Sequence, residues 1–147
     1  MKIAFACDHK GFILKEAIIS HIRELGHTVV DCGTDSAERV DYPIYGEKAG
    51  RLVASGECDL GVLVCGTGVG ISLAANRVKG IRAVCCSDPY TAQLSRNHNN
   101  SNILSIGAMV VGEGLALKIV DAYLDAQFMG GRHAERLKMI DEIETRN

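Results

Sequence analysis

The segment Leu60-Gly61-Val62-Leu63-Val64-Cys65, followed at once by Gly66-Thr67-Gly68-Val69-Gly70, constrains this chain more than any other. A short run without a single charged residue is what a strand covered on both faces requires, and such strands belong to parallel sheets flanked by helices. Three glycines in five residues let the backbone turn sharply out of the strand and approach a ligand closely. The helix that follows presents unpaired N–H groups to an anion. The plainer use of such glycines is a tight strand-to-helix turn.

The rest of the chain repeats the alternation. Ile3 to Cys7 reads as a strand, and Leu14, Ala17, Ile18, Ile22 and Leu25 then recur at helical spacing with Gly26 as a stop. His27 to Cys32 is the next strand, and a helix follows from about Tyr42 to Ser55. After the glycine loop come a short helix (about Gly70 to Val78), a strand from Ile81 to Cys86 and a helix from Pro89 to Arg96. Asn102 to Ile106 is a fifth strand, and helices from Leu115 to Phe128 and from about Arg132 to Thr145 close the chain. The pattern predicts one α/β domain over residues 1–147: a doubly wound, Rossmann-like, three-layer αβα arrangement of five parallel strands with a C-terminal helical extension. Ligands in such folds bind beyond the carboxyl ends of the strands, which places Asp8, His9 and the segment Cys65 to Gly70 along one edge.

Composition removes several function classes. A formal net charge of −2 gives no electrostatic case for a nucleic-acid or membrane partner. No apolar run approaches the ~20 residues of a membrane span, and the first residues carry no signal pattern, so a cytoplasmic protein is expected. The six cysteines are therefore expected to be reduced, and no C-x-x-C pair occurs among them. Cys7, Cys32, Cys58, Cys85 and Cys86 read as small hydrophobes, whereas the neighbours of Cys65 give it chemistry.

Spacing tests the named glycine motifs. A Walker loop ends in Gly-Lys-Ser/Thr, and this one ends in Gly70-Ile71-Ser72. The dinucleotide fingerprint requires glycine where Ile71 stands, although Asp88 lies at a suitable distance for a ribose-binding acid. A C-x5-R phosphatase requires arginine at position 71. What remains is a thiol before an N–H-rich loop, able to serve as nucleophile or general base. The loop amides suit a developing oxyanion, and Thr67 is placed to orient either thiol or oxygen.

Arg132 and Arg136 lie one helical turn apart, and their row continues into Ile140 and Ile143, so this face is expected to dock. Paired guanidinium groups suit a phosphate, and an ordinary salt bridge is the plainer reading. Asp8-His9 is often just a polar loop, but at this edge His9 suits a phosphate and Asp8 a sugar hydroxyl. Cys7, His9 and Cys65 lack recognisable metal-ligand spacing, so no metal is expected. A noncatalytic nucleotide- or phosphate-binding domain would explain the loop and the arginines but leaves Cys65 without a task.

The segments Cys7-Asp8-His9-Lys10-Gly11, Asp41-Tyr42-Pro43, Cys65-Gly66-Thr67-Gly68-Val69-Gly70, His98-Asn99 and Gly130-Gly131-Arg132-His133 with Arg136 together resemble the B-type ribose-5-phosphate isomerase family, with its allose- and galactose-6-phosphate isomerase relatives. The resemblance covers essentially the whole chain. It implies an aldose–ketose isomerase that needs neither cofactor nor metal. Cys65 would move a proton between C1 and C2 through a cis-enediolate that Thr67 and the amides of Gly66, Gly68, Val69 and Gly70 stabilise. His98 would open the sugar ring, Asp8, Tyr42 and Asn99 would contact hydroxyls, and His9, Arg132 and Arg136 would hold the phosphate. Many relatives carry arginine where this chain has Met109, which bears on the preferred sugar.

His98 lies between a helix and the fifth strand, hence at the opposite edge from Cys65. Strands of five or six residues separate the two edges by ~15–20 Å. One subunit should not bring His98 to its own Cys65, which predicts a homodimer with active sites shared between subunits, and leaves a tetramer open.

Overall fold

The computed structural model describes all 147 residues. In chain order the elements are β1 (Lys2–Cys7), α1 (Phe12–Glu24), β2 (Thr28–Asp31), α2 (Tyr42–Ala54), β3 (Leu60–Cys65) and α3 (Val69–Asn76). They continue with β4 (Ala83–Cys85), α4 (Pro89–Asn99), β5 (Ile103–Gly107), α5 (Glu113–Asp125) and α6 (Arg132–Thr145). The strands form one sheet in the order β2-β1-β3-β5-β4, and every pairing is parallel. This is the doubly wound α/β architecture that the alternation predicts.

The apolar runs divide by the two-residue period of a strand. Ile3, Phe5, Val62, Val64, Leu104 and Ile106 pack with α1, α4 and α5, while Ala4, Ala6, Leu63, Cys65 and Ile103 pack with α2 and α3. Every residue of β3 is buried, as its position at the centre of the sheet demands. The chain leaves β1 toward one side of the sheet and returns to β3 on the other, so the crevice beyond Cys7 and Cys65 is a topological switch point.

Among the departures from the sequence pattern, those in β4, α4 and α6 bear on the second edge of the sheet. β4 holds three residues rather than six: the amides of Arg82 and Ala83 donate to the side chains of Asn102 and Asn76, at 2.8 Å each, instead of to a strand. α4 runs to Asn99, past the expected stop at Arg96, and ends on Asn100, whose φ of 46° terminates the turn. On α6 the buried side chains are His133 and Leu137, which pack the helix on the body. The row Arg132, Arg136, Ile140 and Ile143 is exposed on this chain, so the face expected to dock is not the one turned to the core.

Candidate active site

Cys65 closes β3 with its side chain toward α2 and α3, and the loop bends so that the Gly68 amide donates to Sγ at 3.1 Å. Gly68 has φ of 81°, in the left-handed region that favours glycine, and this conformation starts α3. Val69 N–H donates to Thr67 Oγ1 at 3.2 Å, placing that hydroxyl beside the loop amides. The further amides at the start of α3 have no intrahelical acceptor and are available to an anion. The thiol is buried, Thr67 is exposed, and together they form a wall with a nucleophilic sulfur at its base.

The neighbouring strand moulds this loop. Ser105 is a buried hydroxyl in the otherwise apolar β5, and it donates to Gly68 O at 2.6 Å. A Cβ on Gly107 would lie 2.6 Å from the carbonyl oxygen of Thr67, closer than real contacts allow. Gly107→Ala should therefore lower stability by about 1–3 kcal/mol, as overpacking does, and displace the Thr67 loop. Urea midpoints measured together with turnover check this; an unchanged midpoint and rate would contradict the fit.

Asp8, just past β1, lies level with Cys65 because Cys7 pairs with Val64. Its Oδ1 accepts from the amides of Lys10 and Gly11, both at 3.0 Å, which fixes a buried carboxylate in the crevice. His9 Nδ1 accepts from the Val40 amide at 3.2 Å, so Nε2 is the nitrogen left to meet a ligand. Tyr42 opens α2 behind Asp41 and beside Pro43, and its ring covers Gly70 so closely that a Cβ there would lie 2.7 Å from the ring. Met109 also joins this edge: its amide donates to Gly66 O, and its Sδ lies 3.3 Å from where a Gly66 Cβ would stand. The structure thus brings together Asp8, His9, Tyr42, Cys65, Gly66, Thr67, Gly68, Val69 and Gly70.

His98, Asn99, Arg132 and Arg136 are at the other edge. Asn102 O accepts from Gly61 N at the start of β3, and His98 lies four residues earlier in the last turn of α4. The loop setting expected for His98 and Asn99 is thus corrected to a helix end: Arg96 spans the C-terminus from its side chain to Asn100, and Asn97 ties it to Gln127. The six residues of β3 separate the edges by about 17 Å. His133, to which the sequence alone assigns no role, is stacked on His98 with ring centroids 4.2 Å apart and planes within 7°. The signal for it was the row His133–Leu137, the second face of the last helix.

The other thiols have ordinary settings. Burial pushes Cys7 up to about 12 and Cys32 and Cys86 up to about 11. Burial raises Cys58 and Cys85 as well. Cys85 is exposed rather than core, and its Sγ donates to Thr67 O at 3.4 Å. Cys7 and Cys65 face opposite sides of the sheet, which dissolves the metal set Cys7, His9 and Cys65. Asp88, the residue that kept a dinucleotide reading open, caps α4 by accepting from Thr91 N at 2.7 Å.

Comparison with known proteins gives a consistent neighbourhood. The family model described as Ribose/Galactose Isomerase matches residues 3–140. Ribose-5-phosphate isomerase B of Escherichia coli (strain K12) is 59% identical over 145 residues, covering 99% of this chain and 97% of that protein. The galactose-6-phosphate isomerase subunit LacB of Clostridium acetobutylicum is 44% identical over 144 residues, covering 97% of this chain and 83% of that one. Among solved structures, ribose-5-phosphate isomerase B of Clostridium thermocellum superposes with a TM-score of 0.97 at 52% identity, covering 99% of each chain.

Proposed function

The chain belongs to the ribose/galactose isomerase family, and on that footing we propose that it interconverts ribose 5-phosphate and ribulose 5-phosphate by proton transfer through Cys65. The observation that carries this is the Cys65 thiol held by the Gly68 amide at the switch point between β1 and β3. All of residues 1–147 act as one sugar-phosphate isomerase domain.

The cycle begins with the furanose. His98 gives a proton to the ring oxygen as the C1–O4 bond breaks and the O1 proton leaves, which produces the open aldehyde. Cys65, as the thiolate, then takes the proton from C2 and becomes the thiol. The electron pair moves onto O1, and the resulting cis-enediolate is held by Thr67 and the amides of Gly66 and Gly70, while Gly68 and Val69, whose amides donate to Cys65 Sγ and Thr67 Oγ1, shape the loop around it. Transfer of the O2 proton to O1, together with return of the proton from Cys65 to C1, gives the ketose and restores the base. Asp8, Tyr42 and Asn99 meet the hydroxyls, while His9, Arg132 and Arg136 hold the phosphate, the arginines as charge-assisted donors. Side chains and backbone amides suffice for each of these steps, so no cofactor or metal enters the proposal.

Because the Cys65 and His98 edges lie about 17 Å apart in one chain, the complete site takes His98, Asn99, Arg132 and Arg136 from a second copy. The unit is a two-fold homodimer with two equivalent shared sites, with pairing into a tetramer as an extension. The exposed row Arg132, Arg136, Ile140 and Ile143 suits that arrangement, because a face turned away from its own core is available to a partner. No helix is long and apolar enough to cross a membrane. The working compartment in this proposal is the cytoplasm, where the six free thiols stay reduced.

A hexose 6-phosphate is the second reading, favoured by Met109, an uncharged side chain lying over Gly66. Purified protein offered ribose 5-phosphate, allose 6-phosphate and galactose 6-phosphate should give its highest kcat/KM on ribose 5-phosphate; a higher value on either hexose transfers the assignment to that sugar. Met109→Arg adds a cation beside the loop and should lower KM for ribose 5-phosphate by about tenfold with kcat little changed, the scale of one added charge-assisted contact. A KM that does not move would place the phosphate away from position 109.

A further inference from the structure

The stacked imidazoles at the second edge are built by several independent features. Met129 N donates to Asn97 O at 3.0 Å and Asn97 Nδ2 donates to Gln127 O at 2.7 Å, which pins the approach to α6 against the end of α4. Gly130 and Gly131, with φ of 65° and 59°, turn the chain so that α6 begins there. His133 thereby enters in the first turn, only 7% exposed, and lies parallel to the partly exposed His98.

A histidine that moves protons needs its ring plane fixed, and this is usually done by a hydrogen bond to the second ring nitrogen. His98 makes no hydrogen bond to another side chain or to the backbone here; its constraint is the ring beneath it. Taking the isomerase reading as its premise, we propose that His133 is the positioning residue for His98, a neutral aromatic platform that fixes the plane from which His98 serves the substrate's ring oxygen. The charged and titratable groups around the stack agree with a neutral platform. Burial, followed by His98 on α4 and Arg132 and Arg136 on α6, lowers the affinity of His133 for a proton. A cation there would also repel the phosphate-binding arginines' own charge and any proton carried by His98.

The role has a signature that a general structural role lacks. His133→Ala removes the platform, whereas His133→Phe keeps a flat ring of similar size with no proton to lose. With the intact homodimer and ribose 5-phosphate, His133→Ala should lower kcat/KM about tenfold or more, as small misplacements of catalytic groups do. His133→Phe should stay within about threefold of wild type on the same scale. In a His98→Ala background, His133→Ala should add less than about a twofold loss, because the group it positions is already gone. The same tenfold loss in that background, no loss in the wild-type background, or failure of phenylalanine to rescue would each overturn the proposal. Wild-type turnover of ribose 5-phosphate is read in the same assay, so absence of turnover would count against the isomerase reading and not against the stack.

Discussion

Cys65→Ser should cost about three orders of magnitude in turnover of ribose 5-phosphate, within the range that a positioned acid–base group contributes. Serine keeps the size of the side chain and can still accept from the Gly68 amide that lies 3.1 Å from the sulfur. What it loses is the deprotonated form that accepts the C2 proton, because a hydroxyl gives up its own proton far less readily than a thiol. Binding should survive. The affinity for ribitol 5-phosphate, a phosphorylated polyol that cannot isomerise, is expected to stay within about threefold of wild type, since the phosphate and hydroxyl contacts involve other residues. Stopped turnover with retained binding is the pattern that separates an isomerase base from a loop that only binds phosphate. A Cys65→Ser enzyme turning over near the wild-type rate would remove Cys65 from the chemistry.

The second large effect is complementation between two dead enzymes. Cys65→Ala and His98→Ala homodimers should each be nearly inactive, because each lacks one essential group in both sites. If the sites are shared, a mixed dimer has one site with both residues intact and one with neither. Equal amounts reassorting at random place half of the dimers in the mixed form, so activity should return to about a quarter of wild type. The measurement is turnover after subunit exchange, with exchange verified by tagged subunits and mass spectrometry. Verified exchange without recovery would mean that each chain completes its own site, in conflict with the about 17 Å between the Cys65 and His98 edges.

Much of this molecule is legible in the order of its residues, for physical reasons. The bounds of the strand Leu60–Cys65 are legible because burial on both faces excludes charge throughout its length, and the glycines after it end it abruptly. The two-edge separation followed from strand length alone, and the structure places Cys65 and His98 accordingly. The short fourth strand was not legible, because its expected ladder is replaced by the amide side chains of Asn76 and Asn102, which are distant in sequence from one another. The end of α4 is not legible because Asn97, Asn99 and Asn100 are poor helix formers, and tertiary ties to Gln127 and through Arg96 overrule that propensity. The orientation of α6 failed for a different reason. The row with two isoleucines looked like the core face, yet the helix packs through His133 and Leu137, and only the position of α4 decides between the rows. The His98–His133 stack and the Ser105–Gly68 contact are products of the same long-range packing.

The central claim, proton abstraction by Cys65 from a ribose 5-phosphate held at the glycine loop, is tested most directly by isomerisation in D2O followed by proton NMR at early conversion. A thiolate that takes the C2 proton becomes a thiol, which exchanges that proton with solvent before returning one to C1, so a measurable fraction of the ribulose 5-phosphate should carry deuterium at C1. Product formed with C1 wholly protiated, as a direct hydride shift would leave it, would contradict the account.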